Sequence, residues 1–402
     1  MTPPQEPVRR RAVPPGGQDG PRLERSGQMW RIRSLETARQ VLRARDATFQ
    51  AGFTAEQIPR GIFRRHPILI SDGALHDEQR RSLARLFAPA KVPDRYGSLI
   101  EERAERAIAS AVARGEVRLD ELALHYAVAV TAEVVGLTSS PVPAMARRLE
   151  AFFRQPPADY SKPRYGRTRR QQMLAAQRGL LPVLRLYLAD VRPALREHRR
   201  RQQDDVIGHL LAEGASTADV LVECVTYGTA GMVTTREFIA MASWHLLEHP
   251  RLAARYLEAG ETERFAILEE ILRLEPVVGH LYRRVQAPLT VHDGDTAHEL
   301  RPGDLVDVDV RAANLDPEAV GDDPGDLCPH RELPRGVAAS GLAFGDGAHR
   351  CPGAPLALRQ TDALLRRLLA AQPELLRAPD IGWDDVIAGY ALRDLRIGFP
   401  GR

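Results

Sequence analysis

Cys351 is one of only three cysteines in a chain of 402 residues, and it lies in FGDGAHRCPG (344–353), beside three glycines, a histidine, an arginine and a proline. Glycine accepts positive φ and lets other atoms come close to its backbone. Gly345, Gly347 and Gly353 therefore allow several N–H groups to point at one sulfur. A thiolate needs such donors, nearby positive charge or a metal. The next stretch, GAPLALRQTDALLRRLLAAQ, is amphipathic at helical spacing, which puts Cys351 at a helix N-terminus, where the dipole favours an anion. A single cysteine does not hold zinc by itself, but it serves as the one axial ligand of a haem iron. Cys224 and Cys328 have no comparable setting and read as small buried hydrophobes. Three widely spaced cysteines predict no disulfide framework and fit a reducing, cytoplasmic setting.

The elements that must position this loop are mostly helices. Residues 98–116 carry Ile100, Ala104, Ile108 and Val112 at helical spacing, and 119–137 are apolar almost all round, as in a helix buried inside a large core. RGLLPVLRLYLADVRPALREHRR follows, interrupted by two prolines. A run over 216–249 predicts a helix about 50 Å long, and ETERFAILEEILRLEP a shorter one ending at Pro276. Strands are expected at 67–71, 288–293 and 305–310 and in ALRDLRIGF near the end, with RPGD as a turn. The first 27 residues are rich in proline and glycine, lack the apolar core of a secretory signal, and read as a disordered tail. No apolar run of about 18 residues suggests a membrane span, and a net charge of +3 gives no nucleic-acid footprint. The expectation is a mainly α chain with small β-sheets, folded as a single domain over 28–402.

Phe344-Gly345-x-Gly347-x-His349-x-Cys351-x-Gly353 resembles the haem-binding signature of cytochrome P450 enzymes, with no position missing. Other stretches resemble the family in the same order, from about Gln28 to the end. Glu270-x-x-Arg273 places an acid and a base on one helix face; by spacing alone that is an ordinary surface pair, whereas the resemblance implies a buried one, closed by Arg331. SDGALHDEQRR resembles the helix whose histidine and arginine hold a haem propionate, implying that role for His76 and Arg80. LYRRVQAPLTV resembles the strand that brings another arginine there, implying Arg283, and His349 joins the group from the cysteine loop.

The long run holds YGTAGMVTTREF. Ala230 and Gly231 match the small residues the family places over the distal face of haem, and Thr234 and Thr235 match its hydroxyl pair. A threonine inside a helix can bond the carbonyl one turn back and loosen the helix locally. Val233 stands where the family usually has an acid, so the usual carboxylate of the proton relay is missing. Glu237 and Arg236 are nearby, but both are expected to point elsewhere.

The resemblance implies a soluble bacterial-type monooxygenase that uses haem b and O2 to oxidise, most simply hydroxylate, a small molecule of the natural-product kind. With no nucleotide-binding motif in the chain, electrons would come from a separate ferredoxin or flavodoxin and its reductase. Arg80, Arg81, Arg350 and Arg359 would suit an acidic partner on the cysteine side. A monomer is expected. Phe63, Val225, Val278, His280 and Tyr390 are the expected pocket wall, with 152–167 as a lid. Val233 keeps open an atypical haem-thiolate chemistry: C–C or C–N coupling, nitration or peroxide-driven oxidation. A haem carrier or sensor without turnover is disfavoured by Thr234 and the Ala230–Gly231 pair.

Overall fold

The computed structural model describes residues 8–9, 11–13, 20–52, 66–160 and 162–400. The helix Val92–Arg114 carries a proline in its first turn, ends on Gly115 at φ 76° and buries Ile100, Ala104 and Ile108. It lies against the helices Leu119–Val135 and Ala354–Ala370. Leu119–Val135 is buried on nearly every side, as its unbroken apolar sequence requires. These helices and the second half of the long helix share one large core.

The long helix spans Thr217–Gly228, a π-turn at Thr229–Val233, and Thr234–Glu248. Ser216 starts it with a reciprocal cap: its hydroxyl accepts from the Asp219 N–H, and the Asp219 carboxylate accepts from the Ser216 N–H at 2.9 Å, which satisfies two end donors at once. The main sheet has five strands in the order Leu23–Ser26, Met29–Ile32, Leu305–Asp309, His280–Val285, Thr48–Ala51. Met29–Ile32 and Leu305–Asp309 run parallel, and the other pairs antiparallel. Three smaller sheets complete the β part. Among the described residues no helix is long and apolar enough to cross a membrane.

Four expectations need correction. Residues 67–71 form a turn rather than a strand: the Pro67 carbonyl accepts from Ile70 and Ser71, and the Ile68 N–H goes to a side chain, Glu223 Oε1, at 2.9 Å. The stretch expected as a tail contributes the edge strand Leu23–Ser26, and Ala12 is fully buried with its N–H on the Glu275 carboxylate. The prolines after residue 178 do not break the chain into separate helices. Pro182 sits inside Arg169–Leu186, and the Arg178 carbonyl, which a proline cannot serve, accepts from Gln155 Nε2 at 3.1 Å instead. A π-turn at Tyr187–Val191 then leads into Arg192–Arg200 with Pro193 in its first turn. ALRDLRIGF splits between two strands, Gly389–Arg393 and Arg396–Gly398, because the chain turns at Asp394, φ 58°.

Candidate active site

The cysteine loop is held from behind by the helix Leu35–Arg43. Gly347, at φ 67°, packs so close that a Cβ there would lie 2.3 Å from the Leu42 carbonyl oxygen, so only glycine fits. Asp346 accepts from Arg39 at 3.2 Å and Arg43 at 3.0 Å. The Cys351 N–H donates to the Phe344 carbonyl at 2.8 Å, and Gly353 leads directly into Ala354–Ala370. Burial pushes the Cys351 thiol up; the N–H groups of Gly353 and Ala354 and the cations Arg80 and Arg350 pull it back. These are the donors that a thiolate at a helix N-terminus requires. Cys351 nevertheless keeps open surface.

On the long helix, Ala230 is exposed in mid-helix while Met232 and Val233 are buried. The Thr234 hydroxyl donates to the Ala230 carbonyl, and Thr235 to the Gly231 carbonyl at 2.7 Å. These back-bonds accompany the π-turn, which widens the helix at this point. Gly231 faces the other way from Ala230: a Cβ on it would reach ordinary contact with the Thr131 methyl at 3.4 Å, on the side of Leu119–Val135. Thr235 also receives Gln360 Nε2 at 3.4 Å from the Cys351 helix.

A third group converges from three elements. The rings of His76 and His349 stack with centroids 4.2 Å apart, and His349 Nε2 lies 2.9 Å from Asp72 Oδ1. Arg283 is only 4% exposed and donates to the carbonyl of its neighbour Tyr282 at 2.9 Å. Burial pushes this guanidinium down to about 10, against the attraction of Asp72. Burial, and after it His349 and Arg80, push His76 down to about 4. Asp72, His76, Arg283 and His349 line one small pocket. Its lining holds two guanidiniums, Arg45 and Arg283, and one carboxylate, Asp72, so it has positive charge to spare for an anion such as a haem carboxylate. Arg80 is not among the residues lining that pocket; its Nη2 donates to the Arg350 carbonyl at 2.8 Å, on the cysteine side.

Glu270 and Arg273 form a bidentate pair, both contacts at 2.7 Å, with Arg273 0% exposed. Arg331 approaches the same carboxylate at 3.3 Å and otherwise spends its guanidinium on the carbonyls of Val320, Asp322, Asp323 and Asp326.

The expected pocket wall is only partly assembled. Val225 and Val278 are half-buried. Tyr390 is 0% exposed, with its hydroxyl on the Glu275 carbonyl at 3.1 Å; it is core, with no surface left for a pocket. His280 is committed to Asp307 at 2.7 Å, whose carboxylate holds the imidazolium against the opposing effect of burial. Phe63 lies outside the described residues.

Neither neighbour replaces the acid missing at Val233. Glu237 accepts from the Leu392 N–H at 2.8 Å and from Arg393 at 2.7 Å, and Arg236 bridges Glu237 and Glu150. Sequence reasoning missed Glu223 and Tyr227. Glu223 Oε2 and the Tyr227 hydroxyl are buried without hydrogen-bond partners, and burial pushes the Glu223 carboxyl up to about 7. An acid and a phenol four apart in an otherwise apolar helix was the only signal.

The family model described as "Cytochrome P450" matches residues 265–371. Cytochrome P450 monooxygenase PikC of Streptomyces venezuelae is 28% identical over 369 residues, covering 88% of this chain and 80% of that protein. The 20-oxo-5-O-mycaminosyltylactone 23-monooxygenase of Streptomyces fradiae is 33% identical over 186 residues, 45% of this chain and 42% of that protein. Among solved structures, a mutant of P450 EryK in complex with erythromycin B superposes with a TM-score of 0.76 over 94% of this chain and 93% of that chain, at 21% identity, a likeness of fold. With the glycine-framed thiolate, the π-turn above it and the anion-seeking pocket beside it, these matches establish that the chain belongs to the cytochrome P450 family and is a haem-binding monooxygenase.

Proposed function

We propose that this enzyme hydroxylates a small natural product, taking electrons from a separate ferredoxin or flavodoxin and its reductase. The observation that carries this reading is the π-turn Thr229–Val233, which exposes Ala230 and places the Thr234 hydroxyl at the widened point of the long helix. Cys351 would hold haem b, with His76, His349 and Arg283 placed for its carboxylates, and the bound haem would supply the iron chemistry that activates oxygen. The protein's part is to hold protons and exclude water. Thr234 offers a hydroxyl that can pass a proton. Val233 is 3% exposed and contributes none, so the next donor is ordered water or a polar group of the substrate. On the cysteine side, Arg81 and Arg350 are exposed and suit an acidic electron donor; Arg359 is engaged with Glu261 at 2.8 Å and Arg80 with Arg350. The relatives' names support a natural-product substrate: one acts on a mycaminosyl-tylactone and one neighbour holds erythromycin B.

The test is a titration of natural-product candidates followed by the Soret shift, then product analysis with O2 and a surrogate ferredoxin system. A ligand that shifts the band and returns with one added oxygen supports hydroxylation. The buried valine at 233 favours a second reading, in which the product carries no added oxygen or forms only with H2O2; the same product analysis separates the two.

A further inference from the structure

The helix Arg169–Leu186 and the π-turn after it carry an apolar stripe on the outside of the molecule. Met173 and Leu180 are each 72% exposed, Leu184 52% and Leu188 50%, with Leu174 and Leu181 beside them. These six are the majority of the ten large hydrophobics exposed among the described residues. Their spacing is helical, so the stripe is continuous, and over 173–188 it runs about 23 Å. The buried side of the same helix is marked by Pro182 and Leu186, so the stripe is a second apolar face, opposite the one that packs.

Arginines flank it. Arg178 and Arg185, seven residues apart, fall beside Leu174 and Leu181 on the helix surface. Both are exposed, and among the described residues neither has an acidic partner, although other exposed arginines, such as Arg106 and Arg377, are paired. No aspartate or glutamate occurs between Arg169 and Ala189. The helix also has a definite place relative to the site. It packs on Val142–Glu150, which packs against the π-turn Thr229–Val233. The loop before it lays Tyr160 against Tyr282 with ring centroids 4.8 Å apart, next to Arg283. The stripe therefore sits on the outer layer over the π-turn Thr229–Val233, on elements other than the cysteine loop and its flanking arginines.

We infer that this face docks an acidic carrier protein, one that presents an apolar helix edged by carboxylates and bears the substrate on a covalent arm. The carrier's role rests on the oxygenase reading above; the docking itself does not. A cation row beside the leucines, with no acid on the same helix, suits a protein partner with a matching acidic row. A helix lying in a membrane surface also sets leucines against cations, so vesicle binding is measured beside carrier binding. A second copy of this chain packed antiparallel through the stripe would set arginine row against arginine row.

The experiment uses the full-length haem-loaded enzyme, a fluorescently labelled phosphopantetheinyl acyl carrier protein as probe, and two surface variants, Leu180→Ser/Leu184→Ser and Arg178→Glu/Arg185→Glu. Fluorescence anisotropy should show binding that weakens with salt and falls about tenfold or more in each variant, while the Soret spectrum and oxidation of a free surrogate substrate are unchanged. No binding of the carrier, or binding indifferent to both variants, overturns the docking. So does cosedimentation with phosphatidylglycerol vesicles, or self-association in the ultracentrifuge, that the variants abolish. If the carrier docks but a substrate loaded on it is not oxidised, the docking stands and the oxygenase reading of the site fails.

Discussion

Glu270→Ala should cost this protein much of its stability. The carboxylate accepts two N–H groups of Arg273 at 2.7 Å, the Cys328 N–H at 3.0 Å and Arg331 Nε at 3.3 Å. Arg273 has no exposed surface. After truncation its Nη1 keeps the carbonyls of Asn314 and Pro324 at 2.8 and 2.9 Å, so hydrogen bonds remain but the counter-charge does not. Removing one member of a buried pair costs about 3–5 kcal/mol, and the Cys328 N–H left without an acceptor adds about 1 kcal/mol. Set against a total of about 5–15 kcal/mol for an ordinary domain, this is a large share of the stability, and the yield of haem-loaded protein should fall with it. Glu270→Gln keeps the volume and one acceptor, and should fall between alanine and wild type. Glu270→Ala/Arg273→Ala removes the bare cation as well, so it should be less damaged than the sum of the single changes by about 2 kcal/mol. Urea unfolding followed by far-ultraviolet circular dichroism, with haem content read from the Soret band, measures all four. An alanine variant within about 1 kcal/mol of wild type, or strict additivity in the double variant, would refute the reasoning.

Three further outcomes are expected. Cys351→His should move the ferrous–CO band from the long wavelength of thiolate ligation to that of imidazole-ligated haem; an unchanged band means another residue binds the iron. The Glu223 carboxyl titrates near 4.5 when unfolded and about 7 when folded, so between these values the folded state holds a proton the unfolded state has lost, and stability falls as pH rises. That fall is at most about 3 kcal/mol; Glu223→Gln should remove it and be the more stable protein at pH 8, and an unaltered pH slope in the variant would show that Glu223 is not the group. Val233→Asp restores a carboxylate beside Thr234, and a placed general acid is worth about 10² to 10⁴ in rate. Coupling of electrons to product should improve for substrate analogues that lack a polar group and change little for the native substrate, and a variant with no gain for such analogues would place the proton source elsewhere.

The sequence by itself determined the candidate ligand cysteine and its frame. Gly345, Gly347, Cys351 and Gly353 lie within nine residues, so local chemistry decides what they can do, and the helix that follows is written in its own periodicity. The same holds for the Glu270–Arg273 face, one turn of one helix, and for the length of the long helix, capped at Ser216. What only the tertiary structure decided is which side chains meet across elements. His76, Arg283 and His349 come from a helix, a strand and a loop more than 60 residues apart, and only packing showed that they share one carboxylate, Asp72, while Arg80, on the same helix as His76, turns to the Arg350 carbonyl. Tyr390 and His280 have pocket-like types, yet one is sealed in the core and the other held by Asp307, because burial and partner choice are properties of neighbours. Glu223 is the plainest case: in sequence it is one acid on a helix, and the turn that brings the Ile68 N–H to one of its oxygens and leaves the other without a partner exists only once the chain has folded.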